Sequence, residues 1–501
     1  MDLDHAACYR AVSRRDARFD GRFFIAVKTT GIYCRPICPA RTPLARNVVF
    51  FTSAAAAQEA GFRPCLRCRP EAAPELGAWR GTWNSVSRAL ALIELGALDE
   101  ADVEALANRL GIGERQLRRL FQQHLGVAPI AVAQARRIHL AKQLIAETAL
   151  PMTEIAYAAG FGSIRRFNEC FQRMFKRAPS ELRRRRNLEI AAAGPRGEIV
   201  LLLRYQPPYD WPAMLDFLRA RAVPGIETVS GETYARSIHL DGEFGTVHVR
   251  PASMHPGSAN ALQATVRFPK LSALPAIIAR LRRVFDLGAD LAAINAHLAQ
   301  DPLLAPLIKA RPGLRVPGAW DGFELAIRAV LGQQITVPAA IRLAGRLVAS
   351  YGQALPEPDG PLTHAFPLPR AMAGADLTML GMPRSRAATL SAVAAAVLTD
   401  PDLLSTGREL DEAVAKLRGI WGIGEWTAQY IALRQLREPD AFPAADIGLL
   451  RALEDAEGRR PSAEALLRRA EAWRPWRAYA AQHLWAAGAA QLAAKPERLA
   501  A

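Results

Sequence analysis

The amino-acid sequence predicts a multidomain chain, mainly α with α+β parts: a small four-cysteine domain, two helix-turn-helix units, an α+β subdomain and a final all-α domain. Three observations predict it. Four of the six cysteines form two close pairs, a unit of helix, glycine turn and helix occurs twice after them, and near residue 195 helical periodicity gives way to strand-like runs before it returns. With 501 residues the chain is long enough for about three domains. Half of it is apolar and 22% is charged, which is globular composition and excludes disorder throughout.

The charge is unevenly spread. Residues 1–190 hold 30 basic and 18 acidic side chains, net +12, whereas the other 311 hold 34 and 30, net +4, of the total +16. A part so basic is expected against a polyanion. No apolar run is long enough for a membrane span, and no basic amphipathic helix with an aromatic face predicts membrane binding. The opening MDLDHAACYRAVSRRDARFD lacks the apolar stretch of a secretory signal. The expected partner is double-stranded DNA, in the cytoplasm.

Within residues 1–78, Cys34 and Cys38 are separated by three residues, Cys65 and Cys68 by two, with 26 residues between the pairs. Knuckles so spaced bring their sulfurs to one tetrahedral ion, which predicts a single zinc bound by Cys34, Cys38, Cys65 and Cys68. Both pairs lie among Arg and Pro, in CRPIC and RPCLRC, unlike core cysteines; Cys170 instead falls on an apolar helical stripe. Thiolates on zinc remain nucleophiles, and alkylating one takes the site from net −2 to −1, which lessens repulsion from phosphates. The spacing alone fits a structural zinc equally well. FIAVKTTGIYCRPICPAR and GFRPCLRCRP, spanning most of residues 1–75, resemble the N-terminal domain of bacterial Ada adaptive-response regulators. The resemblance implies irreversible methyl transfer from DNA methyl phosphotriesters to Cys34, with Cys38, Cys65 and Cys68 as its partners on zinc. Lys28 and Arg35 flank Cys34 as candidate phosphate contacts, and access is the expected reason why one sulfur of four reacts.

Residues 80–187 hold the repeat. Ala107 and Gly111 recur as Ala156 and Gly160, 49 residues on, and Leu117, Phe121 and Pro129 recur as Phe167, Phe171 and Pro179, 50 on. Val103, Leu106, Ala107 and Leu110 make one apolar face, as do Phe167, Cys170, Phe171 and Met174. The opposite faces of the two second helices carry Arg115, Arg118 and Arg119, then Arg165, Arg166 and Arg173, the expected DNA contacts. Residues 130–147 contain no Gly or Pro and predict one connecting helix of about 27 Å, near the ~34 Å of a duplex turn. This arrangement resembles the AraC/XylS DNA-binding domain. The four arginines at 183–186 follow the last helix as a phosphate contact or a solvated helix end.

Strands are expected at 198–205 and between 226 and 268, helices near 211–221 and 273–285, giving an α+β subdomain at 198–285 before helical residues 286–495. In the helical part, LRGIWGIGEWTA predicts a hairpin between helices in which Gly422 and Gly424 let backbone amides approach a phosphate. Asp446 lies 22 residues after Gly424 at a predicted helix start, where local pattern by itself reads it as an N-cap. LLRYQPPYDWPAMLDFLRARAV, DGFELAIRAVLGQQIT, GIGEWTAQYIALR and AWRPWRAYAAQHLW resemble DNA-3-methyladenine glycosylase II of the helix-hairpin-helix superfamily, over about 198–490. The resemblance implies that Asp446 is the catalytic carboxylate, that Trp426, Tyr430, Trp485 and Phe217 surround the base, and that no cofactor is needed. A cationic alkylated purine suits aromatic faces once flipped out. Bifunctional members place their nucleophilic lysine where this chain has Trp426, so release without strand cutting is expected. Gln334 stands at the intercalating position, leaving Gln333 and Gln334 as candidates to fill the vacated stack. No Pro-Cys-His-Arg motif and no cysteine after Cys170 appear, so direct O6-alkylguanine repair is not expected. The expected whole is a monomeric alkylation sensor, DNA-binding regulator working with RNA polymerase, and base-excision enzyme. The alternative is a transcription factor whose last domain is a catalytically silent DNA-binding module.

Overall fold

A computed structural model describes residues 4–16, 19–65, 67–68, 70, 84–99, 101–184, 198–252, 260–406, 408–455 and 457–498. The chain forms two compact units: Met1–Gln206 with Ala252–Ala279 and Leu287–Asp290, and Pro207–Pro251 with Arg280–Asp286 and Leu291–Ala501.

The first unit opens on helix His5–Ser13 and a four-stranded sheet in the order Val48–Phe51, Phe24–Val27, Ile32–Cys34, Arg63–Pro64. Gly31, at φ +64, makes the tight turn that pairs Ile25 with Cys34 antiparallel. The last strand runs parallel to Ile32–Cys34, with Tyr33 opposite Pro64, so Cys34 and Cys65 end neighbouring strands side by side. A core of Val12, Phe23, Ile25 and Val48 closes over them.

Two helix-turn-helix units follow, Val103–Arg109 with Glu114–Leu125 and Met152–Ala158 with Ile164–Phe175. Gly111 and Gly160 hold φ +69 and +85 in the turns. Val103, Leu106, Ala107, Leu110, Phe167, Cys170 and Phe171 are buried, and Met174 is half-buried. The connecting helix, Pro129–Glu147, has 19 residues and spans about 28 Å. It is tied on three sides. Its Arg136 and Arg137 pair with Asp99, whose carboxylate lies against Gly160, where a Cβ would come within 2.8 Å of it. Its His139 bonds the buried Tyr33 hydroxyl at 3.1 Å and the Gln58 amide of the sulfur-bearing domain. Its Gln143 donates to the Leu202 carbonyl at 3.1 Å, while Glu147 accepts from the Leu202 amide at 3.0 Å. Leu202 belongs to strand Glu198–Arg204, which pairs antiparallel with Ala261–Arg267. Of the arginine run, Arg183 donates to the carbonyls of Thr148 and Leu150 and so closes the end of the connecting segment; Arg185 and Arg186 lie outside the described residues.

The second unit contains helix Trp211–Arg219, the antiparallel meander Glu227–Ser230, Thr233–Leu240, Glu243–Pro251, and a helical body. Glu227, Arg236, Glu324 and Arg328 form a buried ion network. Burial alone would raise the Glu227 pKa, but Arg328 and Arg236 hold it below the usual range. The helical part has one feature the helical pattern does not anticipate, a hairpin of Gln353–Asp359 with Leu362–Ala365. Its segment QALPEPDGPL breaks helical spacing with three prolines, and Gly360 turns it at φ +56.

Candidate metal centre, reading helices and base pocket

The two knuckles converge. The sulfurs of Cys34, Cys38, Cys65 and Cys68 all lie within 4.8 Å of one another, and four thiolates on one tetrahedral zinc stand about 3.8 Å apart. Cys38 is brought back by a turn in which its amide bonds the Arg35 carbonyl at 3.1 Å. The Arg35 amide faces the Cys68 sulfur and the Arg67 amide the Cys65 sulfur, both at 3.4 Å, as is usual around metal-bound thiolates. The donor set therefore fits zinc.

Two expectations here need correction. Cys34 is only 9% exposed, whereas Cys38 and Cys68 are partly open, because Cys34 ends an interior strand. Access in this state does not single it out. Nor is Arg35 free to hold a phosphate: its guanidinium is buried against Asp20 and donates to the Cys68 carbonyl at 3.3 Å. It braces the knuckle instead, and Lys28, at the end of strand Phe24–Val27, remains exposed.

On the second helix of each helix-turn-helix unit, Arg115, Arg118, Arg119, Arg165, Arg166 and Arg173 are all exposed. Arg118 pairs with Glu114 and Arg165 with Glu169, one turn away; such exposed pairs contribute little and exchange readily for phosphate.

In the second unit, Asp446 caps helix Ile447–Ala452 and does more than cap it. Oδ1 accepts from the amides of Gly448 (2.9 Å) and Leu449 (3.0 Å) and from Trp485 Nε1 (2.8 Å). Oδ2 accepts only Trp426 Nε1, at 2.8 Å, among the described residues. One oxygen is saturated and the other keeps a free lone pair. Trp426 and Tyr430 stack with centroids 5.4 Å apart, and Tyr430 meets Trp485 edge-on at 6.4 Å. Phe217, from helix Trp211–Arg219, joins them through a buried cation: the Arg434 guanidinium lies 4.7 Å from its ring centroid, 5.0 Å from that of Trp485 and 5.5 Å from that of Tyr430. The structure thus links all four expected aromatics, each half-buried, with Trp426 and Trp485 bonded to Asp446 and Tyr430 and Phe217 joined to them through ring and cation contacts. Arg434 and Gln482, which accepts from it at 3.2 Å, are not picked out by the motifs. A signal for Arg434 exists: Trp426, Tyr430 and Arg434 follow one helical face at i, i+4, i+8.

The hairpin before this helix needs Gly422, whose φ is +82 and whose missing Cβ would fall 2.0 Å from Thr389 Oγ1. Gly424 has open space on its Cβ side and caps helix Glu425–Ile431. The Gln333 amide bonds the Gly422 carbonyl (3.1 Å) and Thr427 Oγ1 (3.0 Å), so it splints its loop to the hairpin. Gln334 is exposed at φ +57, a left-handed conformation that costs a non-glycine residue and presents the side chain outward.

Comparison with known proteins assigns four regions: the metal binding domain of Ada at 7–71, a helix-turn-helix domain at 106–185, the AlkA N-terminal domain at 200–321, and the HhH-GPD superfamily of base excision DNA repair proteins at 327–478. A probable bifunctional transcriptional activator/DNA repair enzyme AlkA of Mycobacterium tuberculosis is 41% identical over 97% of both chains. DNA-3-methyladenine glycosylase 2 of Escherichia coli is 36% identical over 56% of this chain and 95% of its own. The bifunctional transcriptional activator/DNA repair enzyme Ada of Escherichia coli is 38% identical over 30% of this chain and 41% of its own. Among solved structures, the 3-methyladenine DNA-glycosylase from Archaeoglobus fulgidus shares the fold, with TM-score 0.50 and 23% identity over 57% of this chain and 96% of that one.

Proposed function

We infer the following division of labour from the premise that this chain belongs to the family of bifunctional transcriptional activator/DNA repair proteins, with an Ada-type front continuous with an AlkA-type glycosylase. It senses alkylated DNA at the four-cysteine site, binds operator DNA through the double helix-turn-helix, and excises alkylated bases such as 3-methyladenine. The working boundaries are 1–78, 80–187, 198–285 and 286–495. It acts as a monomer in the cytoplasm, with DNA and, as an activator, RNA polymerase as partners; among the described residues no helix is long and apolar enough to cross a membrane.

At the front, Cys34, Cys38, Cys65 and Cys68 would hold one zinc, whose charge would keep their sulfurs deprotonated at neutral pH. The Cys34 sulfur attacks the methyl carbon of a methyl phosphotriester; an S–C bond forms, the C–O bond breaks, and a phosphodiester anion leaves. Neither sulfur nor methyl is regenerated, so each chain reacts once. The site goes from net −2 to −1, and DNA affinity rises most visibly at low salt. The resemblance to Ada carries the choice of Cys34. Incubation with methylphosphotriester DNA followed by peptide mass mapping tests it: one methyl on the Cys34 peptide is expected. A methyl on Cys38, Cys65 or Cys68, or none with zinc bound, overturns the assignment.

At the back, a flipped base stacks on Trp426, Tyr430, Trp485 and Phe217 while Gln334 fills the gap it leaves and Gln333 fixes that loop to the hairpin. The Gly422–Gly424 backbone holds a flanking phosphate. Asp446 Oδ2 faces the sugar: it stabilises the oxocarbenium-like carbon and orients the attacking water. With Trp426 in place of a lysine no Schiff base forms, and the product is an intact strand with an abasic site. The clamping of Asp446 between two indole N–H groups and two helix amides carries this reading, because it fixes a carboxylate, not merely a cap, against the edges of two rings of the aromatic set. The decisive experiment is base release from methylated duplex DNA. The unmutated chain is expected to release methylated purine, and Asp446→Asn to lose about a hundredfold or more in rate. No release by the unmutated chain supports the silent-module alternative.

A further inference from the structure

Arg434 has no role in the reactions above, yet its placement is unusual for an arginine. It sits in a π-helical turn, Ala432–Leu436, directly after the helix that carries Trp426 and Tyr430, and is 3% exposed. Such turns are rare and recur at functional sites. Nη1 donates to the Pro317 carbonyl at 3.0 Å and Nη2 to Gln482 Oε1 at 3.2 Å, while Nε is buried without a hydrogen-bond partner. No carboxylate pairs with it among the described ion pairs, whereas Arg236 and Arg477, also buried in this unit, each have one. Phe217, Tyr430 and Trp485 are what surround its carbon. Burial lowers its pKa to about 10, Tyr430 opposing and Arg221 adding to the shift, so it remains a cation at neutral pH.

A buried charge without a counter-ion is expensive, and the fold gives up stability to keep it. Its position suggests the return. Asp446 is bonded to the indole edges of Trp426 and Trp485, while Arg434 lies against ring faces of the same aromatic set. A base held among these rings has a fixed cation on one hand and a fixed carboxylate on the other.

We propose that Arg434 is an electrostatic positioning residue for base release, setting a field across the pocket that drives positive charge off the base and toward the sugar beside Asp446. This deepens the glycosylase reading and rests on it. An alkylated purine carries its positive charge on the base before reaction. As the glycosidic C1′–N bond breaks, its electron pair goes to the base, which becomes neutral, and positive charge appears at C1′. Water then forms the new C1′–O bond and releases a proton to solvent. A cation beside the base opposes the starting charge distribution and not the final one, so it weakens ground-state binding while lowering the barrier. The rings between them keep that cation from being solvated away.

The consequence is a split that a packing role does not produce. In single-turnover excision of N7-methylguanine from duplex DNA, Arg434→Met is expected to slow base release about tenfold or more while tightening half-saturation for the damaged duplex. Arg434→Lys, which keeps the charge, is expected to recover most of the rate. Gln482→Glu is the second arm and leaves Arg434 in place: it supplies the missing carboxylate at the 3.2 Å contact, and the same slower release with tighter half-saturation is expected. Unchanged release in Gln482→Glu, or loss of rate together with weaker binding in both folded variants, overturns the proposal. If the unmutated chain and Asp446→Asn release base equally slowly, the glycosylase reading itself has failed instead.

Discussion

In the proposed mechanism Asp446 combines the cap that the structure shows with a chemical role. Capping uses Oδ1, which takes three donors, and leaves Oδ2 with one, so the cap does not compete with chemistry. The same economy is absent from Cys34, where burial at the end of an interior strand conflicts with its assigned role; exposure of its sulfur to DNA requires movement of the knuckle or of its neighbours. On the helix that supplies Trp485, His483 gives a residue-level prediction. Burial, then the charge of Arg311, pushes it down to about 4 from an unfolded value near 6.5. The folded state prefers the neutral ring, so this stability is complete above pH ~6.5, falls as pH drops, and is lost by about pH 4, at a total of about 3 kcal/mol. Thermal melts at pH 7 and 4.5 should show a larger acid drop for the unmutated chain than for His483→Gln. Equal drops would show that another group titrates.

At the scale of elements, the connecting helix Pro129–Glu147 organises the first unit. Its length sets the separation of the two recognition helices, but length alone leaves their rotation free. Asp99 fixes that rotation by pairing with Arg136 and Arg137 while filling the space over Gly160 in the second turn. Asp99→Ala leaves two guanidinium groups without their carboxylate and is expected to cost about 3 kcal/mol. Operator affinity should fall further than stability explains, because the gain from engaging two grooves at once depends on their geometry. Binding to a whole operator against a half-site, at fixed salt, measures that gain; an unchanged ratio would mean Asp99 only stabilises. The same helix meets the sulfur-bearing domain where its His139 bonds Gln58 and Tyr33, the residue next to Cys34. Events at the metal centre therefore have a direct packing neighbour in the DNA-reading part.

Across the whole molecule, the two chemistries draw on different units. Every cysteine of the metal centre belongs to the first, while Asp446, its aromatic neighbours, Arg434 and Gln482 belong to the second. Stripping zinc with a chelator is accordingly expected to abolish methyl uptake and weaken operator binding while leaving the rate of base excision within about twofold, since structural zinc contributes to the folding of the domain that holds it. Parallel assays on one chelated preparation check this, and loss of excision on chelation would show that the units do not work independently.

Resemblance to the glycosylase family, not local pattern, singled out Asp446 and its aromatics, whereas the sequence by itself determined the order of parts, the clustering of the four cysteines and the helix-turn-helix repeat. These depend on local spacing: a knuckle needs two cysteines a few residues apart, and a helical face needs its period. Even the strands near 198–268 were legible because alternation is local too. The tertiary structure alone decided what depends on residues far apart in the chain. Parallel pairing of Tyr33 with Pro64 put Cys34 in an interior position, and Asp20 took up an arginine that spacing offers to phosphate. Gln333 was committed to the hairpin 89 residues away, leaving Gln334 as the outward residue of the loop. Arg434 carries no motif of its own in the sequence, and only the fold brings Phe217, 217 positions earlier in the chain, over it together with Trp485. Burial, and the presence or absence of a counter-charge, are properties of the assembled neighbourhood, and no local pattern encodes them.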